Sequence, residues 1–219
     1  MKAVIFDFNG TLFFDHEKHI QAWGEISLLL RGIPIEKDEL YSHINGVPNI
    51  KVIQYFLNNQ ATEEQLNEYS KLKEKIYRKC CKEDKETFHL VKGAYDYFNL
   101  LKENNIPFTI ASASIIENIN FFVESFELDK WIDPHSIIYD DGTYENKIRM
   151  FKEAANVLNT SIEDCLIIED SISGIKNAYQ AGCRNIIVVD STNNSNVYKQ
   201  MPGVIQVIQD FDELLKQPE

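Results

Sequence analysis

The stretch Val4–Thr11 reads VIFDFNGT, and it decides the fold of this chain. Its apolar run is too short for a helix and ends on the carboxylate of Asp7, after which Gly10 and Thr11 turn the chain. This pattern predicts a buried strand that carries Asp7 at its carboxyl end. Because open α/β sheets bind their ligands at that edge, Asp7 is the first candidate functional residue.

The composition indicates a globular protein with an acidic surface. The chain has 219 residues and is 44% hydrophobic, which is enough for one good core and a smaller satellite domain. Lys and Arg total 22 against 34 Asp and Glu, which gives a net charge of -12. This charge disfavours nucleic acid and anionic membranes as partners, and an anionic substrate would need a local cation.

The cysteines and the termini indicate the compartment. Four cysteines lack both metal-site spacing and a disulfide framework, which is typical of reduced packing thiols: Cys80, Cys81, Cys165 and Cys183. Met1 and Lys2 lead directly into the first strand, so no signal peptide is expected, and no apolar run approaches membrane-spanning length. We expect a soluble cytoplasmic protein, either a monomer or a homodimer.

A run of helices follows the first strand. Apolar spacing and caps predict helices over 15–30, 36–43 and 50–58, and a capping box at Thr62 and Gln65 begins a longer fourth helix. No strand is predicted before about residue 86. Residues 15–86 are therefore predicted to form an all-helical cap domain, inserted into a core of residues 1–14 and 87–219.

From Val91 the pattern alternates between helix and strand. Helices are predicted over 93–104, 115–126, 147–158 and 171–181 and from 210, and strands over 108–111, near 137–138, over 165–168 and 186–189 and near 204–207. This alternation is typical of a parallel sheet with crossover helices. The predicted core is therefore a Rossmann-like α/β domain.

Polar side chains follow the predicted strands at three further points. Ser112 ends one strand, Lys147 follows the loop after another, and Glu169 and Asp170 end a third. Right-handed crossovers would bring these residues and Asp7 to one edge of the sheet. A carboxylate can attack phosphorus to form an aspartyl phosphate, while Mg²⁺ held by carboxylates neutralises the phosphoryl charge.

These motifs resemble the haloacid dehalogenase-like superfamily, in its β-phosphoglucomutase-like branch with a helical cap. The resemblance spans essentially the whole chain and implies that Asp7 is the nucleophile, that Ser112 binds phosphate and that Lys147 is the site lysine. It places Mg²⁺ on Asp7, Glu169 and Asp170 and on the main-chain carbonyl of Asn9. The family's acidic motif matches residues 169–175, which read EDSISGI.

Each assignment has an alternative. Asp7 could cap a turn, and Glu169 and Asp170 could be an N-cap pair for the next helix. Ser114 is the alternative to Ser112 as the phosphate-binding residue, although Ser114 is the better placed of the two to cap the next helix.

Lys147 has its own alternatives. The family follows its lysine with Pro-x-Pro-Asp, which is missing here, and an ungapped count places Glu145 in that position. A loop shorter by two residues restores Lys147, which could otherwise be a surface lysine at a helix start.

The resemblance also implies contacts between this chain and its substrate. It places a specificity loop at 45–51, and the implied substrate-binding residues are Gly10, Thr11, Ala113, Asn49 and Lys51. Asn49 stands where mutase members tend to carry an arginine for a second phosphate, which argues against a bisphosphate-handling mutase, although Lys51 could compensate in part.

Asn9 replaces the second Asp of the family's Asp-x-Asp-Gly-Thr motif, which serves there as general acid and base. An amide side chain cannot shuttle protons, and the loss of a positioned acid or base costs roughly 10²- to 10⁴-fold. Three hypotheses follow. The leaving group needs no proton, as in an acyl phosphate or a diphosphate; or Asp15, His16 or His19 replaces the acid; or the protein is a regulatory relative with little catalysis. Alternatively, His16 and His19 are exposed positions on an amphipathic helix and have no role in proton transfer.

The predicted function is a Mg²⁺-dependent phosphoryl-transfer hydrolase, similar to a phosphatase, that acts on a small phosphorylated metabolite with attenuated acid–base catalysis. One alternative is a catalytically weak phosphometabolite-binding relative. Others are a β-phosphoglucomutase and a metal-free haloacid dehalogenase, whose departing halide needs no proton. The acidic pair Glu169 and Asp170 favours the metal-dependent reaction over the dehalogenase.

Overall fold

A computed structural model describes residues 1–216 of the chain. Its single described sheet has five parallel strands in the order β2-β1-β3-β4-β5. The strands are β1 (Ala3–Phe6), β2 (Phe108–Ile110), β3 (Cys165–Glu169), β4 (Asn185–Val189) and β5 (Val204–Ile208). Phe6 pairs with Ile110 on one side and with Ile168 on the other, so the carboxyl ends of these three neighbouring strands lie side by side.

The strands form where short apolar runs can be buried on both faces. Every residue of β1, β2 and β3 is buried, as expected for a parallel sheet covered by helices on both sides. The edge strand β5 is only partly buried. The predicted Rossmann-like α/β core is confirmed.

The longer helices follow the predicted pattern. They are α1 (His16–Arg31), α3 (Asn49–Phe56), α4 (Glu63–Glu83), α5 (Ala94–Glu103), α6 (Ile116–Phe126), α7 (Lys147–Val157) and α8 (Ile172–Ala181). The predicted capping box begins α4, with Gln65 N donating to Thr62 Oγ1 at 3.2 Å and Thr62 N donating to Gln65 Oε1 at 3.0 Å. α1 ends at Gly32, whose φ of 71° fits the left-handed C-cap that glycine favours.

Shorter elements depart from the sequence pattern. The helix predicted over 36–43 is a single α-helical turn, α2 (Lys37–Glu39), which continues as a π-helical turn over Leu40–Ile44. The short helix α9 (Ser195–Tyr198) lies where the sequence predicts none, and the helix predicted from residue 210 is the short α10 (Asp212–Leu215). Each of these helices has too few residues to show a clear hydrophobic periodicity in the sequence.

The strand predicted near residues 137–138 is wrong. Ile138 makes one isolated parallel bridge with Ala111, in which Ile138 N donates to Ile110 O and Ser112 N donates to Ile138 O, both at 2.9 Å. A 3₁₀ turn over Pro134–Ser136 immediately precedes it, and an exposed loop follows. The apolar pair is therefore too short to extend the ladder.

The chain folds into two compact units. One consists of Met1–Phe14 and His89–Glu219 and carries the sheet with α5–α10. The other, Asp15–Phe88, is entirely helical and carries α1–α4. Its core consists of Trp23, Ile26, Ile44, Val52, Ile53 and Phe56. The second unit ends at Phe88, whereas the sequence predicts the domain boundary after residue 86.

All four cysteines are buried and free. Burial raises the pKa of the Cys81 thiol to about 12, so this residue stays a thiol at neutral pH. Within residues 1–216, no helix combines the length and the apolar character needed to cross a membrane.

Candidate active site

Asp7 lies at the carboxyl edge of the sheet, directly after β1. Its main-chain N–H continues the ladder by donating to Ile168 O at 2.9 Å. Phe8 then turns the chain, and its carbonyl oxygen accepts from the N–H groups of Thr11, Leu12 and Phe13 at 3.2, 2.8 and 3.1 Å. This tight turn fixes the direction of the Asp7 side chain, which is 7% exposed.

Gly10 provides space for a neighbouring carboxylate. Its φ is +82°, and a Cβ atom at this position would lie 2.2 Å from Asp170 Oδ2. A larger residue would therefore be strained in its backbone and would displace Asp170. The glycine of the opening motif thus allows the residues after β1 and β3 to approach each other.

Lys147, the first residue of α7, joins two of the carboxylates. Its Nζ donates to Asp7 Oδ1 at 2.5 Å and to Glu169 Oε1 at 2.6 Å. The cap of α7 is Asn146, whose Oδ1 accepts from Ile148 N at 2.9 Å. Glu145, the alternative from the ungapped count, is exposed. The structure therefore brings Lys147 to Asp7 and leaves Glu145 at the surface.

Glu169 ends β3 and has both oxygens engaged. Besides Lys147 on Oε1, its Oε2 accepts from the N–H groups of Asp170 and Ser171, both at 2.8 Å, and from Ser171 Oγ at 3.0 Å. Ser171 in turn is the N-cap of α8, where its Oγ accepts from Gly174 N at 2.9 Å. The alternative in which Glu169 and Asp170 cap this helix is wrong, because Ser171 does so.

Thr11 lies between the nucleophile candidate and the acidic pair. Its Oγ1 is 3.2 Å from Asp7 Oδ2 and also 3.2 Å from Asp170 Oδ1. Asp7, Glu169 and Asp170 each offer an oxygen within 4.8 Å of the others. Three carboxylates against one lysine leave an excess of negative charge on hard oxygen donors, and this donor set fits Mg²⁺.

Crowding of these charges shifts their titration. Burial raises the pKa of Asp7 to about 6, with Lys147 opposing this and Glu169 adding to it. Burial, Glu169 and Asp7 together raise the pKa of Asp170 well above its usual range. Burial opposes the charged form of Lys147, but the neighbouring Asp7 and Glu169 outweigh it and raise its pKa. A divalent cation would relieve this repulsion between the carboxylates.

We expect Mg²⁺ affinity to increase as pH rises from about 5 to about 8, because protonated carboxyl groups must lose their protons before they bind metal. With its pKa raised to about 6, Asp7 is increasingly protonated below that pH, and the proton competes with the metal for this carboxylate. Calorimetric titration of Mg²⁺ at several pH values measures this. Asp141→Asn, at an exposed carboxylate, should leave the dependence unchanged. An affinity that is flat with pH would contradict the assignment of these ligands.

Asn9 accepts hydrogen bonds from two serines that follow β2. Its Oδ1 lies 2.7 Å from Ser114 Oγ and 3.3 Å from Ser112 Oγ, and Ser114 N donates to Ser112 Oγ at 3.2 Å. Ser114 does not cap α6, whose N-cap is Ile115 without a side-chain bond. The capping role considered for Ser114 is therefore wrong. No local sequence pattern indicates this contact, because it joins residues that are 105 positions apart.

Gly174 leaves room for the carboxylate of Glu169. A Cβ on Gly174 would lie 1.7 Å from Glu169 Oε1, so Gly174→Ala must push this carboxylate off Lys147. We expect a loss of about 1–3 kcal/mol in the free energy of unfolding. Gly24→Ala is the control, because a Cβ there meets nothing within 4 Å inside α1, and alanine should stabilise that helix by about 0.5–1 kcal/mol. Urea denaturation of both variants measures this, and equal effects would contradict it.

The remaining implied substrate contacts are distributed over both units. Ala113 is exposed next to Ser112. Asn49 belongs to the Asp15–Phe88 unit, where its Nδ2 donates to Glu74 Oε1 at 2.7 Å and to Ser70 Oγ at 3.2 Å. Lys51 is exposed in the same unit. Asn49 is therefore engaged within its own unit.

The proposed replacements for the missing acid also lie in that unit. His19 has both ring nitrogens engaged: Nδ1 is 2.8 Å from Lys73 Nζ, and Nε2 is 3.2 Å from Asp15 Oδ2. Because a lysine ammonium can only donate, we assign the ring proton to Nε2. Tyr77 stacks on this ring and donates to the same Asp15 oxygen. His19 is thus half-buried in a network, whereas His16 is exposed.

Comparison with known proteins identifies the family. The model of haloacid dehalogenase-like hydrolases matches residues 1–182. A crystal structure of a haloacid dehalogenase (HAD) hydrolase, family IA, variant 3, from Entamoeba histolytica superposes on this fold with a TM-score of 0.90. The two sequences are 36% identical, and the match covers 97% of this chain and 95% of that chain.

Two curated relatives are more distant. A phosphorylated carbohydrates phosphatase of Thermotoga maritima is 23% identical over 94% of each chain. The β-phosphoglucomutase of Bacillus subtilis is 27% identical over 83% of this chain and 80% of that protein. The chain therefore belongs to the haloacid dehalogenase-like hydrolases, in their β-phosphoglucomutase-like branch.

Proposed function

We propose that this protein is a Mg²⁺-dependent phosphoryl-transfer hydrolase that acts on a small phosphorylated metabolite through an aspartyl phosphate at Asp7. The observation that carries the proposal is the placement of a buried carboxylate at a sheet edge, 2.5 Å from the Lys147 ammonium and beside two further carboxylates. A nucleophilic carboxylate needs a nearby cation before it can approach a phosphate anion.

Lys147 performs two tasks in this proposal. Its contact with Asp7 Oδ1 favours the ionised, nucleophilic form of that carboxylate against the cost of burial. Its charge also offsets the charge on the phosphoryl oxygens as the group is transferred. Glu169 holds Lys147 at this position from the other side, at 2.6 Å.

The metal would be held by Asp7 and Asp170, with the main-chain carbonyl of Asn9 as a further ligand. Glu169 has fewer lone pairs to offer, because Lys147, Ser171 and two main-chain N–H groups already engage it. When bound, Mg²⁺ supplies positive charge that offsets the anionic repulsion between carboxylate and phosphate. Asp170 would thus act chiefly as a ligand, and Glu169 would position Lys147.

The residues after β2 would bind the phosphoryl group. Ser112 is 1% exposed and its hydroxyl lies at the same sheet edge as Asp7, while the exposed Ala113 offers its main-chain N–H. Donors of this kind orient the phosphoryl oxygens and stabilise the charge that develops on them. Gly10 and Thr11 would support the site by giving Asp170 its space and by bridging two carboxylates.

A sugar phosphate is the class of substrate that the relatives favour. One curated relative is named as a phosphatase of phosphorylated carbohydrates. We infer that the Asp15–Phe88 unit acts as the cap domain that selects the substrate and excludes water. Asn49, bonded to Glu74, offers no positive charge for a second phosphate, which favours a monophosphate over a bisphosphate.

A catalytically weak phosphometabolite-binding protein is the second candidate, and Asn9 is the observation that favours it. The nucleophile and the metal ligands would then bind a phosphorylated compound with little turnover. A metal-free dehalogenase is disfavoured by the acidic group of Asp7, Glu169 and Asp170.

Turnover of p-nitrophenyl phosphate and acetyl phosphate, with Mg²⁺ and with EDTA, tests the proposal. We expect phosphate release from at least acetyl phosphate that EDTA abolishes and that Asp7→Asn eliminates. Phosphate binding without release by the native chain or by Asn9→Asp would support the binding protein instead. Activity that persists in EDTA would contradict the Mg²⁺-dependent mechanism.

A further inference from the structure

Asn9 is held as a hydrogen-bond acceptor beside the nucleophile. Two hydroxyl groups, those of Ser112 and Ser114, point at its Oδ1 from 3.3 and 2.7 Å. Both hydroxyl groups donate to this carbonyl oxygen. The amide is therefore fixed in orientation, and it can neither give up a proton to a leaving group nor accept one from water.

The carboxylates beside Asp7 are already committed to other contacts. Glu169 holds Lys147 and the start of α8 through both of its oxygens. Asp170 contacts Thr11 and belongs to the proposed metal ligands. In the other unit, His19 is engaged at both ring nitrogens. The proton transfer that an aspartate at position 9 would perform thus has no ready substitute among these groups.

The two halves of the reaction depend on that proton to different degrees. In the first half, an Asp7 oxygen attacks phosphorus, and the bond from phosphorus to the leaving oxygen breaks with its electron pair staying on that oxygen. An alkoxide leaving group needs a proton at this point, whereas a carboxylate leaving group does not. In the second half, water attacks phosphorus, the Asp7–phosphorus bond breaks, its electron pair returns to Asp7, and one water proton passes to a phosphate oxygen or to solvent.

We propose that this protein takes phosphoryl groups from donors with weakly basic leaving groups, of which acyl phosphates are the clearest class, and retains them on Asp7 as a slowly hydrolysed acyl phosphate. The inference rests on the proposed function and adds to it the class of donor and the slow step. Loss of a positioned base slows water attack by about 10²- to 10⁴-fold, while the transfer from an acyl phosphate needs no acid. The phosphorylated protein therefore accumulates.

Intact-protein mass spectrometry tests this directly. The full-length chain is incubated with acetyl phosphate and Mg²⁺, desalted into buffer without donor, and sampled over time. We expect the native chain to carry one phosphoryl group and to lose it about 10²- to 10⁴-fold more slowly than Asn9→Asp does. Asp7→Asn should carry none. Asn120→Asp, which adds the same charge at an exposed position of α6, should decay like the native chain.

A second experiment compares two phosphoryl donors. Glucose 6-phosphate, whose leaving group is an alkoxide, should phosphorylate the native chain about 10²- to 10⁴-fold more slowly than acetyl phosphate does. Equal loading from both donors, or decay of the native phosphoprotein as fast as that of Asn9→Asp, would overturn the inference and leave the hydrolase intact. Absence of both phosphorylation and turnover in the native chain and in Asn9→Asp would instead overturn the proposed function.

Discussion

Asn9→Asp is expected to raise the rate of hydrolysis of alkyl phosphate monoesters by about 10²- to 10⁴-fold, because it restores a proton carrier beside Asp7. The side chain at position 9 already lies within hydrogen-bond distance of Ser112 and Ser114. A carboxylate of the same shape can keep both serine donors. The backbone geometry of the turn after β1 should therefore be unaffected.

The measurement is kcat for a panel of sugar monophosphates and for p-nitrophenyl phosphate. The gain should grow as the leaving group becomes more basic, since the first half of the reaction depends on the acid only when the leaving oxygen needs a proton. Asn120→Asp is the control, because it adds one negative charge at an exposed position of α6. Equal rates for the native chain and Asn9→Asp would mean that another group already carries the proton.

Lys147→Met is expected to lower kcat/KM by about 10²- to 10³-fold, the usual cost of removing one preorganised charge partner from a phosphoryl or oxyanion site. Methionine has nearly the same length but no charge, so two effects combine. Asp7 loses the ammonium group, 2.5 Å away, that favours its ionised form against the effect of burial. The pKa of Asp7 should therefore rise above about 6. The phosphoryl oxygens also lose a cation during the transfer.

Lys152→Met is the matched control, since Lys152 is an exposed lysine on the same helix, α7. Its kcat/KM should equal that of the native chain. The pH profile separates the two effects of Lys147→Met, because a raised pKa of Asp7 shifts the acidic limb of the profile to higher pH. Full activity with an unshifted profile would contradict the role assigned to Lys147.

The sheet and much of the site could be predicted from the sequence because they depend on local signals. A short apolar run followed by Asp7 and a turn indicates a buried strand and its end, and the same holds for Glu169 after β3. Parallel pairing then places both residues on one edge, since Phe6 pairs with Ile168. Lys147 could be proposed from the family resemblance, although its loop lacks the usual proline residues.

Contacts between side chains distant in the sequence could not be predicted. Ser114 contacts Asn9 across 105 positions of the chain, and its direction depends on the backbone after β2 rather than on any local pattern. Gly174 is an ordinary helix residue until Glu169 Oε1 occupies the place where its Cβ would be. The pairing of His19 with Lys73 likewise joins two helices, α1 and α4.

The identity of the phosphorylated residue tests the central claim most directly. Native protein loaded with acetyl phosphate and Mg²⁺ is digested at low pH, and the modified peptide is sequenced by tandem mass spectrometry. The account predicts one phosphoryl group, labile to hydroxylamine, on Asp7, and none in Asp7→Asn. A phosphoryl group on any other residue, or undiminished phosphate release by Asp7→Asn, would contradict Asp7 as the nucleophile.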